Sequence, residues 1–164
     1  MEYTFEKQFS EILSNMVAAC IGYCKNNAEK VFIHISHEGG MYGWDFFFQI
    51  HEVIVAHGFV DYALHPGDTP ISRKEALDGQ GPVLKVLSSE GMKLVKLFKD
   101  CHRELPTEIR LVYDARTNGL DTKCRYDPVW SKKPNGWLDD VEFAWMEEEA
   151  RKLGTVAITP YCHP

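Results

Sequence analysis

The chain has 164 residues, of which 45% are hydrophobic and 26% are charged. These values are typical of a globular domain and exclude a disordered tail or a collagen-like fibre. No apolar run reaches the roughly 18 to 20 residues that span a bilayer, and no secretory signal is visible at the N-terminus. An odd number of cysteines, five, fits reduced thiols. We therefore expect a single cytoplasmic domain over residues 1–164.

Acidic residues are concentrated in two stretches that contain no Lys or Arg. The net charge is −6, and residues 31–72 hold five acids while residues 139–150 hold six. Such surfaces repel phosphate backbones, so direct binding of nucleic acid is not expected. A basic protein partner would be attracted to them. The alternative is that these acids only keep the protein in solution.

The first half of the chain predicts a helix followed by a β-hairpin. Apolar residues recur at spacings of three and four over Thr4–Lys25, which is typical of an amphipathic helix. Alternating residues over 31–36 and 44–51 predict two strands, joined by a turn at Glu38-Gly39-Gly40. Residues 53–56 either continue the second strand or begin a third.

The middle of the chain is less regular. Two turn clusters lie between residues 57 and 82, with one helical turn around Arg73–Leu77. Ser88-Ser89 predicts the start of a second long helix, which Pro106 closes. Asn118-Gly119 then predicts a two-residue type I′ turn, because both positions favour positive φ. That turn would place Thr117 opposite Leu120 and Leu111 opposite Tyr126.

A last helix is predicted over Leu138–Leu153, and Gly154 ends it. Trp130 and Trp137 flank a polar loop, where they form either binding anchors or a small apolar cluster under the loop. The order of elements is α-β-β-(loop)-α-β-β-α. We therefore predict an α+β fold, an antiparallel sheet with hairpins packed against three main helices.

The sequence offers one weak pattern for metal chemistry. Five of the seven histidines lie between residues 34 and 65. His34 and His51 would meet across the first hairpin, with Glu38 or Asp45 as a carboxylate ligand, which would suit a metal-dependent hydrolase. Scattered surface histidines are the alternative. Cys20 and Cys24 continue the apolar stripe of the first helix, so we interpret them as core thiols.

Other catalytic patterns do not occur in the sequence. There is no phosphate-binding glycine loop and no Gly-x-Ser-x-Gly elbow. We therefore expect neither enzymatic activity nor a cofactor or metal.

The second half of the chain resembles a known family. The features are the strand Ile109-Arg-Leu-Val-Tyr-Asp114, the Asn118-Gly119 hairpin, Tyr126-Asp127 and a final helix with Phe143-Ala-Trp145. They resemble the YezG-type immunity proteins, small bacterial antitoxins encoded beside polymorphic or contact-dependent growth inhibition toxins. The resemblance is clearest over residues 108–150.

This resemblance implies a non-enzymatic cytoplasmic protein that binds the C-terminal domain of a cognate toxin and occludes its active site. Such toxins are often nucleases, which are usually basic. The residues that would contact the toxin cannot be carried over from the family, so we predict them from charge alone. These partner-binding candidates are Glu38, Asp45, Asp61, Asp68, Asp139, Asp140, Glu147 and Glu148.

Overall fold

A computed structural model describes residues 4–129 and 138–163, without the side chains of residues 138–140. It contains four helices and five strands in the described ranges. The helices are α1 (Phe5–Tyr23), α2 (Arg73–Asp78), α3 (Gln80–Asp100) and α4 (Leu138–Lys152). The strands are β1 (Lys30–Glu38), β2 (Met41–Ile50), β3 (Val53–Ala56), β4 (Glu108–Asp114) and β5 (Gly119–Arg125). No helix among the described residues is long and apolar enough to cross a membrane.

The strands form one antiparallel sheet in the order β3-β2-β1-β4-β5. Strands β1 to β3 follow one another as a meander, and α2 and α3 then separate β3 from β4 in the chain. β4 returns beside β1, so β1 is central, and β3 and β5 are the two edges.

Helices pack against both faces of this sheet. Because side chains alternate along a strand, Phe46 and Phe47 point to opposite faces. Phe46 and Leu111 belong to the larger core under α1 and α3, and both are fully buried. Phe47 belongs to a smaller core under α4, together with Trp145 and Met146. The helix α4 is therefore the outer layer on its own side of the sheet.

The predicted α+β fold class and the order of the main elements are confirmed. The first helix begins after Thr4, whose hydroxyl accepts a hydrogen bond from the Lys7 amide at 3.2 Å. Residues 53–56 form a separate third strand. His51 and Glu52 have positive φ angles of 48° and 60°, and they turn the chain between β2 and β3.

The predicted boundaries of the second long helix were wrong. Helix α3 begins at Gln80, so Ser88 and Ser89 lie inside it and do not cap it. Pro82 is tolerated because the first turn of a helix has no internal partner for its N–H groups. The helix ends at Asp100, before Pro106, and the left-handed φ of His102, 52°, directs the chain away.

The predicted register of the β4–β5 hairpin was also wrong. Leu111 pairs with Thr122 instead of Tyr126, and Asp114 pairs with Gly119. The turn occupies residues 115–118, since of the two predicted turn residues only Asn118 has a positive φ. The Asp114 carboxylate accepts a hydrogen bond from the Arg116 amide at 2.9 Å, which stabilises this longer turn.

Candidate functional site

Helix α4 is attached to the sheet by an aromatic cluster. The side chain of Trp145 is almost fully buried and meets the rings of Phe32 and Phe47 edge-on, at centroid distances of 5.5 and 5.0 Å. Phe32 and Phe47 stack on each other at 4.5 Å. Edge-to-face and stacked rings add stability beyond the area that they bury. These contacts fix the inner face of α4, and Glu147 on the helix remains exposed.

The two acidic stretches of the sequence meet at a buried cluster between β2 and α4. The side chains of Asp45 and Glu142 are hydrogen-bonded to each other. Nε2 of His57 lies 2.8 Å from Oδ1 of Asp45, and its Nδ1 lies 2.5 Å from Oε1 of Gln80. The Gln80 amide is oriented by its Nε2, which donates to the carbonyl of Leu77. Because both ring nitrogens of His57 face acceptors, both carry hydrogen, and the ring is an imidazolium.

The pKa shifts of this cluster agree with that assignment. Burial acts to raise the pKa of Asp45, but hydrogen bonds from His57 and Glu142 and the charge of His57 outweigh it, and the pKa is lowered. Burial acts to lower the pKa of His57, but Asp45 and Gln80 outweigh it, and the pKa is raised. The contact with Glu142 therefore links this ion pair to α4.

A second polar cluster joins β1 and β4 to α4. Nε2 of His34 lies 2.8 Å from one oxygen of Glu108, and Nε of Arg110 lies 3.2 Å from the other. Arg110 also donates to Glu148 of α4 at 3.1 Å, and its guanidinium lies 5.0 Å from the centre of the Trp145 ring. Burial acts to raise the pKa of Glu108, but His34 and Arg110 outweigh it, so the pKa is lowered. Arg110 therefore holds the outer helix from the side.

Part of this cluster has the residue order of a hydrolytic triad. The hydroxyl of Ser36 lies 3.5 Å from Nδ1 of His34, whose Nε2 contacts Glu108. That first distance is long for a hydrogen bond. Each of the three residues is only 1% exposed, so a substrate cannot reach the hydroxyl. We interpret the arrangement as hydrogen bonding that satisfies buried polar groups.

Most acids of the first stretch are paired with groups of the same chain, and one of them is buried. Glu38 is buried and accepts a hydrogen bond from the amide of Val129 at 2.9 Å. Asp61 lies 3.0 Å from Arg73, and Asp68 lies 2.7 Å from His51. Cationic and amide groups therefore contact these carboxylates within the chain. Contact of these acids with a partner stays a prediction.

The acids of the second stretch belong to α4. Glu147 is exposed, and Glu148 is partly exposed beside Arg110. Asp139 and Asp140 lie in the first turn of the helix, and their side chains are outside the described part of the structure. The structure thus keeps the predicted acids of α4 on one element and places those of the first stretch at separate points.

The histidines of residues 34–65 do not gather at one point. His34 is opposite Asp45 in the β1–β2 register, whereas His51 lies in the turn after β2. His51 stacks on His65 with ring centres 3.8 Å apart. Among the side chains that the structure describes, no group of three or more His, Cys, Asp or Glu residues could hold a metal ion.

The two cysteines of the first helix lie in the core as predicted. Cys20 and Cys24 are fully buried. Burial raises the pKa of both thiols, so they stay protonated and unreactive.

Three residues that hold the site together were not singled out from the sequence, namely Glu108, Arg110 and Glu142. The spacing of Glu108 and Arg110 places both on one face of β4, and that signal is present in the sequence. Their partners come from β1 and α4, which are distant in the chain, so no local pattern indicates the pairs. The predicted anchors Trp130 and Trp137 lie outside the described residues.

The candidate site is therefore the outer surface of α4, which Trp145 fixes from below and Arg110 from the side. Its described side chains include the exposed carboxylate of Glu147 and the partly exposed carboxylate of Glu148, followed by the exposed Arg151 and Lys152. No protein-family model matches this chain, and no curated protein matches it either.

Proposed function

We propose that the chain is a toxin-neutralising immunity protein that binds a basic toxin domain through the acidic outer surface of α4. The observation that carries this proposal is an anchored helix with an acidic composition. Residues 138–152 contain six acids and two basic residues. Glu147 is exposed and Glu148 is partly exposed beside Arg110, whereas Glu142 is buried against the sheet. Because the helix is already fixed, binding does not require it to become ordered. A negative surface also speeds the association of a positively charged partner.

A nuclease is the toxin class that best fits this surface. Nucleases hold phosphate groups through Lys and Arg side chains. Carboxylates on a helix offer oxygen acceptors to the same cations, and Arg binds carboxylate and phosphate with similar geometry. An acidic helix placed across such a site would block the substrate.

The alternative, a metal-dependent hydrolase that uses histidines of residues 34–65, receives no support from the geometry. His34 contacts Glu108, His57 contacts Asp45, and each pair is complete without a metal. The arrangement of Ser36, His34 and Glu108 is buried, so a substrate cannot reach the Ser36 hydroxyl. We therefore propose binding as the function.

Protection of growing cells tests this proposal. The resemblance predicts that the neighbouring gene encodes a large secreted protein with a toxic C-terminal domain. We expect that domain to stop growth when it is expressed alone, and growth to continue when this chain is expressed with it. We also expect the two purified proteins to co-elute. A toxic domain that stops growth in the presence of this chain, and does not bind it, would disprove the proposal.

A further inference from the structure

Strand β5 is an open edge of the sheet. It pairs with β4 on one side, and among the described residues no strand pairs with its other side. Six of its seven residues are exposed, and Thr122 is partly exposed. An edge of this kind leaves backbone N–H and C=O groups free to pair with another strand.

The helices on both faces are set back from this edge. A hollow of about 430 Å³ lies on the α1 side, where Phe9 and Cys124 are among the lining residues. Another of about 490 Å³ lies on the α4 side, where Asp121 and Glu148 are among them. A strand that approaches β5 would therefore meet neither helix in the plane of the sheet.

β5 carries charges of both signs on one face. Asp121 and Lys123 are two residues apart, so both point to the α4 side. Both are exposed, and among the described residues neither forms an ion pair. Edge strands that avoid association are often protected by lysines. β5 instead carries an acid beside a base, Asp121 and Lys123, which complement a second copy of the same strand, while its last residue, Arg125, is paired with Asp127.

We infer that β5 pairs with β5 of a second copy of this chain, antiparallel and about a two-fold axis at Thr122. This register sets Asp121 of each copy opposite Lys123 of the other, so that two ion pairs form. On the α1 side of the sheet, the same register sets Leu120 of each copy opposite Cys124 of the other. The result is a continuous ten-stranded sheet, twice the five strands of one chain, with α4 of both copies on the same side.

The registers with axes at Asp121, Lys123 and Cys124 place like charges opposite each other. A two-fold antiparallel pair keeps the two faces of the sheet continuous, so its axis passes through a residue position. An axis at Lys123 sets two lysines opposite, and an axis at Asp121 sets two aspartates opposite. An axis at Cys124 sets Lys123 opposite Arg125. Among these axes, the one at Thr122 has no like charges directly opposite, and such pairs are destabilising.

A charge exchange tests this register by molar mass. In light scattering after gel filtration, we expect the wild type to have twice the mass of one 18.8 kDa chain. Asp121→Lys sets lysine opposite Lys123, and Lys123→Asp sets aspartate opposite Asp121, so each single variant should be monomeric. The double variant D121K/K123D restores opposite charges and should again be dimeric. A monomeric wild type, dimeric single variants or a monomeric folded double variant would overturn the inference. Far-UV circular dichroism checks the folding of each variant.

A disulfide trap tests the same register independently of affinity. In a background of C101S/C162S, the variant Leu120→Cys places a new thiol opposite Cys124 of the second copy. Within one chain these positions lie about 13 Å apart along the strand, which is beyond the reach of a disulfide. We expect a covalent dimer on mild oxidation, and none when Cys124→Ser is added. No covalent dimer, or an equal amount in that control, would contradict the inference. Neither test uses a toxin, so the result is separate from the proposed function.

Discussion

His57 is the residue that connects the most separate parts of this molecule. Its ring contacts Asp45 on β2 and Gln80 at the start of α3, and it stacks on Phe46 at 4.6 Å. Through Asp45 it also reaches Glu142 on α4. One ionised ring therefore ties both helical layers to the end of the sheet.

This ion pair makes stability depend on pH. The pKa of His57 is raised, so its contribution is complete below the ordinary value of 6.5 and is lost as pH rises through the folded value. The pKa of Asp45 is lowered, so its contribution is complete above the ordinary value of 3.8 and is lost as pH falls through the folded value. The pair therefore stabilises the fold most between pH 3.8 and 6.5.

We expect His57→Gln to lower the free energy of unfolding by about 1–3 kcal/mol at about pH 5.5, and by less at about pH 8.5. As pH rises through the folded pKa, the wild-type ring becomes neutral and keeps a single N–H, so it no longer donates to both Asp45 and Gln80. Urea unfolding of both proteins at the two pH values measures the difference. The surface variant His65→Gln is the control. An equal loss at both pH values would show that His57 is not held as an imidazolium.

The hydrogen bond between Asp45 and Glu142 gives a second expectation at this scale. Glu142→Gln keeps a donor for Asp45 and should leave the free energy of unfolding nearly unchanged. Glu142→Ala removes the donor and should lower it by about 1–3 kcal/mol. Urea unfolding at neutral pH compares the two variants. If the glutamine variant is as unstable as the alanine variant, the carboxyl group is ionised in the native protein.

Among the elements, α4 depends most on a single side chain. Trp145 contacts Phe32 and Phe47, and its indole N–H donates to Glu149 at 3.3 Å. We expect Trp145→Ala to lower the free energy of unfolding by about 3–5 kcal/mol, because it leaves a cavity under the helix. Trp145→Phe keeps an aromatic ring and should cost less. Chemical unfolding followed by circular dichroism measures both, and equal losses would show that the ring contacts do not anchor the helix.

The elements themselves could largely be predicted from periodicity. The stripe of α1 and the alternation of β1 and β2 are local patterns, and the structure contains them. The start of α3 was missed because Gly79 and Pro82 are typical of turns as well as of helix starts. The β4–β5 register was missed because the Asn-Gly pair favours a two-residue turn. The hydrogen bond from the Arg116 amide to the Asp114 carboxylate instead stabilises a longer turn.

The site was less predictable than the fold, because the partners of its charged side chains are distant in the chain. Acid counts locate charge in the sequence, but they do not show which carboxylates find cations after folding. Asp45 and Asp61 pair with His57 and Arg73, which are up to twelve residues away in the chain. On α4 the apolar stripe indicates which face points outward, and Glu147 lies exposed on that face, whereas Glu142 is buried.

At the scale of the whole molecule, the two acidic stretches have different roles. The first stretch uses its carboxylates to hold loops and strands together. The second belongs to a helix that is fixed to the sheet and presents acids outward. We therefore propose that a basic partner binds at α4 and not over the whole acidic exterior.

The most direct test is the affinity of the purified toxin domain for two charge-reversal variants. Asp140→Lys with Glu147→Lys changes the predicted outer face of α4. Asp78→Lys with Glu104→Lys changes the net charge equally, at exposed positions on other segments. By calorimetry, we expect the α4 variant to lose about tenfold or more in affinity, which is about 1.4 kcal/mol, and the control to bind nearly as the wild type does. Equal affinities for the two variants, with both folded, would contradict a binding surface on α4.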